Sequence, residues 1–124
     1  MLSDIGNYLQ AHGIGTLGTN IFLGLMPDQP DNCIALFEYA GSPPDLHWNG
    51  EYPGLQVRVR NKSYAAGRAK IEEVVTELHG AHELTLNGAR YLLIKARGSP
   101  EVLKRDNNNR VELFVNFEII KERD

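Results

Sequence analysis

Four histidines, one cysteine and a stripe of basic residues are the parts of this 124-residue chain whose types could do chemistry. His79 and His82 stand three apart, a spacing that brings two side chains to one face of a helix. Gly80 lies between them, and a glycine there ends a helix rather than extending it. The pair therefore reads as one helix-terminal histidine near the dipole and one turn residue, with no third ligand at zinc spacing. Cys33 is the sole cysteine, which excludes an intramolecular disulfide and a thiol-rich zinc site. It opens the apolar run Cys33-Ile34-Ala35-Leu36-Phe37 with no basic neighbour, so it is expected as a small buried hydrophobe. Asp45 and Glu51 share a proline-rich stretch, whereas acid–base work needs carboxylates in fixed geometry. No serine sits in a Gly-x-Ser-x-Gly elbow, and no nucleophile is paired with a base. No catalytic residue, cofactor or metal is assigned, and the chain reads as a non-enzyme.

The basic stripe is Arg58, Arg60 and Lys62 on one strand face, with Arg68 and Lys70 soon after. It could hold phosphates, as in a nucleic-acid-binding module. The simpler reading is an exposed strand edge protected by charge, or one side of a subunit contact. The balance of 13 basic against 16 acidic residues, net −3, favours the latter, because nucleic-acid binders usually carry a basic excess. Two long loops differ in sign. Residues 41–54 hold Asp45 and Glu51 without Lys or Arg. Residues 98–110 hold Lys104, Arg105 and Arg110 against Glu101 and Asp106. Unlike patches on one rigid body suit a head-to-tail contact that closes into a ring. The candidate interface residues are therefore Asp45, Trp48, Glu51, Arg58, Arg60, Lys104, Arg105 and Phe114. Trp48 and Phe114 are its apolar anchors. A ligand pocket under the 41–54 loop, with His47 or Asp45 acting in it, is the remaining reading.

The elements that would position these residues follow from periodicity. In PGLQVRVRNKSYAAGRA, residues 53–69, Leu55, Val57 and Val59 alternate with Gln56, Arg58 and Arg60, the period of a half-buried strand. Asn61 and Ser63 can cap the helix that follows, whose apolar positions Tyr64, Ile71, Val74, Val75 and Leu78 recur at helical spacing. Ser3 can cap a first helix ending near His12. The glycines of residues 13–18 lie after a helix and before a strand, the wrong order for a phosphate loop, so they form a connector. Asn20–Met26 and Cys33–Tyr39 read as strands. Asn87-Gly88 predicts a tight hairpin between Glu83–Leu86 and Ala89–Ala96, and Val111–Ile120 alternates as the longest strand. The expected fold is α+β: a mainly antiparallel or mixed sheet of about six strands, two helices on one face, and two long loops. Length and a 42 % hydrophobic content suit a single domain over residues 1–124. Residues 1–12 lack a signal peptide's charge and apolar centre, and no run approaches ~20 apolar residues, so folding in a cytoplasm without a membrane is expected.

The chain resembles the minor capsid or tail terminator proteins of long-tailed bacteriophages. The resemblance is carried by GTLGTNIFLG (15–24), the run from Pro27 to Pro44, and residues 53–69. LHG (78–80), LNGARY (86–91), Ser99-Pro100, Arg105-Asp106 and VELFVNFEI (111–119) complete it. It implies a structural protein of virion assembly, located in the tail or neck and made in the host bacterial cytoplasm. Such proteins cap the tail tube, stop its polymerisation and present the head-docking surface. They act as rings, typically hexameric, around a channel that DNA traverses. The implied partners are further copies of the chain, the tail tube protein and a head-completion or connector protein, although the isolated chain could remain monomeric. The neighbouring role of head completion or head–tail joining belongs to the same resemblance. The family has no catalytic residues to carry over.

Overall fold

A computed structural model describes residues 1–123. Helix α1 (Leu2–Ala11) is followed by strands β1 (Ile21–Leu23), β2 (Cys33–Ser42) and β3 (Gly50–Asn61). Then come helix α2 (Tyr64–Leu78), strands β4 (His82–Leu86), β5 (Ala89–Ala96), β6 (Glu101–Arg105) and β7 (Val111–Glu122). The fold is α+β, with a mixed, curled seven-stranded sheet ordered β1-β2-β3-β7-β5-β4. Among the paired strands of the described residues, β1–β2 alone is parallel. Strands β3 and β7 form the central ladder, from Gly50↔Glu122 at one end to Asn61↔Val111 at the other. The far edge of β7 is shared: β6 pairs with Val111–Phe114, and β5 with Phe117–Lys121.

Alternation decides which face is covered. Val57, Val59, Leu113, Val115 and Phe117 point to the helices and are essentially inaccessible to solvent. They meet Ile5 and Leu9 of α1 and Ile71, Val74 and Leu78 of α2 in one apolar cluster. The opposite face, with Phe37, Arg58, Phe114 and Asn116, has no helix over it, and these residues are half-buried. Ser63 caps α2 by accepting the Ala66 N–H at 3.2 Å, and Asn61 accepts from the Ser63 N–H. The Asn87–Gly88 turn places both residues at positive φ.

Several expectations need correction. The sheet has seven strands because residues 98–110 contain β6. All five of its residues are exposed, so it carries no burial signal and exists through backbone pairing with β7. The first loop shrinks to residues 43–49, because β2 and β3 pair as far as Ser42↔Tyr52. Pro53 is accommodated there because it lies at the bulge between Tyr39 and Ser42, where the ladder is interrupted. Met1, not Ser3, occupies the N-cap of α1, with no side-chain cap. The first strand is only three residues long, and Tyr64 is half exposed rather than core.

Candidate functional site

The basic stripe does not survive folding as a patch. Arg60 is 3 % exposed. Its guanidinium donates to the carbonyls of Pro27 (2.6 Å), Pro30 (2.7 Å), Asp31 (3.1 Å) and Asp28 (3.3 Å). It is a clamp on the 27–31 loop, not a surface cation, which removes it from the candidate interface. Lys62 pairs with Asp31, Arg68 with Glu72, and Lys70 with Glu73. Arg58 differs. It has no carboxylate partner among the described residues. Its guanidinium carbon lies 4.8 Å from the Phe37 ring centroid, and its Nε donates to Gln56 Oε1 at 2.7 Å. Gln56 in turn donates to Asn116. Phe114 stands opposite Arg58 in register, so the uncovered sheet face carries one guanidinium pinned over the Phe37 ring, with Phe114 on the neighbouring strand.

The 43–49 loop is a braced finger. Tyr52 Oη donates to Asp45, the His47 N–H donates to Asp45 Oδ1, and Trp48 Nε1 donates to Tyr52 Oη. The Tyr52 bond is the main reason the Asp45 carboxyl lies below the usual carboxylate range, with the His47 N–H adding to it. The same bond pushes the Tyr52 phenol up. Trp48 folds back over Gly50, where a Cβ would collide with the indole. Asn49 exchanges bonds with the backbone of Arg123. This bracing presents Leu46 at the tip, 94 % exposed. Glu51, beside the finger, is engaged within the chain: Lys121, 1 % exposed, donates to it at 2.7 Å.

At the opposite end of the β3–β7 ladder, the β6–β7 hairpin carries Lys104 and Arg105. Lys104 lies 3.8 Å from Glu112, and Arg105 bonds to Asn109. Beside them Val102 and Leu103 are 50 % and 42 % exposed. Arg110, at the base of the turn, is buried and bridges Asp106 (2.8 Å), Asp28 (2.9 Å) and Asp31 (3.2 Å). Burial works against its charge, but the bonds to Asp28 and Asp106 outweigh that and raise its pKa. The Arg110 backbone N–H is the largest influence lowering Asp106. Together, Arg60 and Arg110 fasten the 27–31 loop to the sheet.

Cys33 is buried, and burial pushes its thiol up. His79 accepts the Ala96 N–H, while His82 faces the Gly80 carbonyl, so the two imidazoles serve different turns. Among the described residues, no group of His, Cys, Asp and Glu could hold a metal, and no helix is long and apolar enough to cross a membrane.

Residues 8–123 match the bacteriophage tail terminator protein family. The chain belongs to that family. It is therefore a structural, non-enzymatic component of a phage-like virion. No curated protein matches the chain. Among solved structures, a chain from the virion of a native gene transfer agent particle shares the fold with a TM-score of 0.78 at 16 % identity. The match covers 99 % of this terminator-family chain and 95 % of the other.

Sequence reasoning placed Asp45, Trp48, Lys104, Arg105, Arg58 and Phe114 at or near exposed surfaces. It missed Leu46, Val102 and Leu103. The available signal was an isolated leucine between Pro44-Asp45 and His47-Trp48, and an apolar pair inside a charged run. Neither shows a periodicity.

Proposed function

We propose that this protein caps the tail tube as a ring, ends its polymerisation and forms the head-docking interface. The family match over residues 8–123 carries this reading. The fold supports it through two different surface elements at opposite ends of the β3–β7 ladder, the finger and the hairpin. Unlike patches on one rigid body make heterologous contacts, and such contacts close into rings when the rotation allows. The subunit is a single domain. Its partners are other copies, the tail tube protein and a head-completion or connector protein, with DNA only passing through. Assembly takes place in the host bacterial cytoplasm, and Asp45, Trp48, Arg58, Lys104, Arg105 and Phe114 lie at contacts.

Dispersal of the basic stripe weighs against nucleic-acid binding, since among the described residues Arg58 alone of those five has neither a carboxylate nor a backbone-carbonyl partner. The deciding experiment adds purified protein to polymerising tail tube subunits and measures tube length. Tubes that stop growing and carry density at one end are expected. Unchanged growth, with binding only to filled heads, would replace this role by head completion.

A further inference from the structure

Six large hydrophobic side chains are well exposed among the described residues: Leu25, Leu46, Trp48, Tyr64, Val102 and Leu103. Four of them fall in two elements, the 43–49 finger and strand β6. Scattered single hydrophobics need no explanation, but paired ones on two structured projections do. The finger is held by its own hydrogen bonds, so little conformational freedom remains to be lost when Leu46 is covered. Such preorganisation is what makes an exposed side chain an efficient anchor.

We infer that the Leu46 finger of one copy seats against Val102 and Leu103 on the β6–β7 hairpin of the next copy. This rests on the ring reading above and names the contact that would build it. Three observations select a second copy as the occupant. The two apolar patches are different and lie at opposite ends of the ladder. Val102 stands level with Val59, nine residues along β3 from Gly50, and at ~3.3 Å per residue that separates them by roughly 30 Å. One chain therefore cannot bring its own finger to its own hairpin, whereas a head-to-tail neighbour can. The flanking charges are also complementary: Asp45 lies beside the finger, and Lys104 and Arg105 beside Val102 and Leu103. Finally, Asp45 is already oriented by Tyr52 and the His47 N–H, so its negative charge is fixed before contact, whereas Glu51 is neutralised by Lys121.

The test uses the full chain. Leu46→Lys should leave the melting temperature unchanged, because the side chain is almost wholly exposed, and should weaken self-association at least tenfold by light scattering. In a Cys33→Ala background, Leu46→Cys with Leu103→Cys should give, on oxidation, a ladder of covalent oligomers. Either single cysteine should give dimers at most. Rings that form normally with Leu46→Lys, and without a ladder, would overturn this contact while leaving the ring reading intact. If Leu46→Lys lost only binding to purified tubes, the finger would dock on the tube protein and the inference would fail. A strict monomer at every concentration, with tubes present or absent, would overturn both readings.

Discussion

Arg60 offers the sharpest division between a surface residue and an internal clamp. Replacing it with alanine removes a buried guanidinium that donates to four carbonyls, two of them at 2.6 and 2.7 Å. Hydrogen bonds to charged groups are each worth ~1.5–3 kcal/mol. The two short bonds would together give ~3–6 kcal/mol, but Asp28, Gln29 and Pro30 are exposed, so water can replace part of what is lost. A net cost of about 2–4 kcal/mol results, a large share of the ~5–15 kcal/mol that stabilises a typical domain. With an unfolding entropy of ~2.1 cal/mol/K per residue, that corresponds to a fall in melting temperature of roughly 8–16 °C.

The assay is thermal and urea unfolding of Arg60→Ala beside Arg58→Ala, followed by self-association below both melting points. Arg58→Ala loses one hydrogen bond and a stacking contact on a half-exposed face and should cost about 1 kcal/mol. Arg60→Ala should therefore be much the less stable, yet the better assembler of the two. If Arg60→Ala melts within about 2 °C of wild type and assembles as poorly as Arg58→Ala, the clamp is refuted and Arg60 belongs to the interface.

Gly54 lies beneath the Tyr39 ring, and a Cβ there would overlap it. Gly54→Ala should cost ~1–3 kcal/mol by overpacking, and recovery of stability in Gly54→Ala with Tyr39→Ala would identify the clash as the cause. Asp45 titrates below the usual carboxylate range chiefly because Tyr52 donates to it. Its lowered folded pKa stabilises the finger above the unfolded carboxylate value, and that contribution is lost as pH falls through the folded pKa. Tyr52→Phe should move the Asp45 carboxyl back up when followed by NMR, and an unmoved titration would remove Tyr52 as the cause. Glu51→Ala leaves the Lys121 ammonium buried without that carboxylate. A loss of about 1–3 kcal/mol in urea unfolding is expected, reduced from a fully buried pair because Glu51 is one-third exposed.

What was legible in the sequence was whatever repeats. The alternation from Leu55 to Arg60, the helical spacing from Ile71 to Leu78 and the Asn87-Gly88 turn each report a local preference that the fold keeps. Strand β6 has no such signature. Glu101–Arg105 is exposed throughout, and only the proximity of Val111–Phe114 makes it a strand. Arg60 misleads for a related reason. Its position in the alternation matches that of Arg58, and both point away from the helices. One is covered by a loop that returns from Pro27 to Asp31, and the other meets Phe37 and Gln56. A period-of-two pattern reports the face of a sheet, not what else lies on that face. Leu46 lies in a segment with no period, so its role depends on hydrogen bonds that bring Asp45, Trp48 and Tyr52 together.

The charges that first suggested a head-to-tail contact are also engaged within the subunit. Asp45 is held by Tyr52 and the His47 N–H, Glu51 by Lys121, and Lys104 and Arg105 lean on Glu112 and Asn109. Side chains held in this way cannot swing out to form tight new ion pairs without breaking the ones they have. They act instead as fixed charges that orient an approaching neighbour, an effect screened over ~8–10 Å at ordinary salt. In the proposed contact, holding the two copies together then falls to the apolar groups, Leu46 above all. If copies close into the proposed ring, salt should therefore slow assembly more than it weakens the ring, whereas removing the leucine should do the reverse. That separation of rate from affinity follows from where the hydrogen bonds already go.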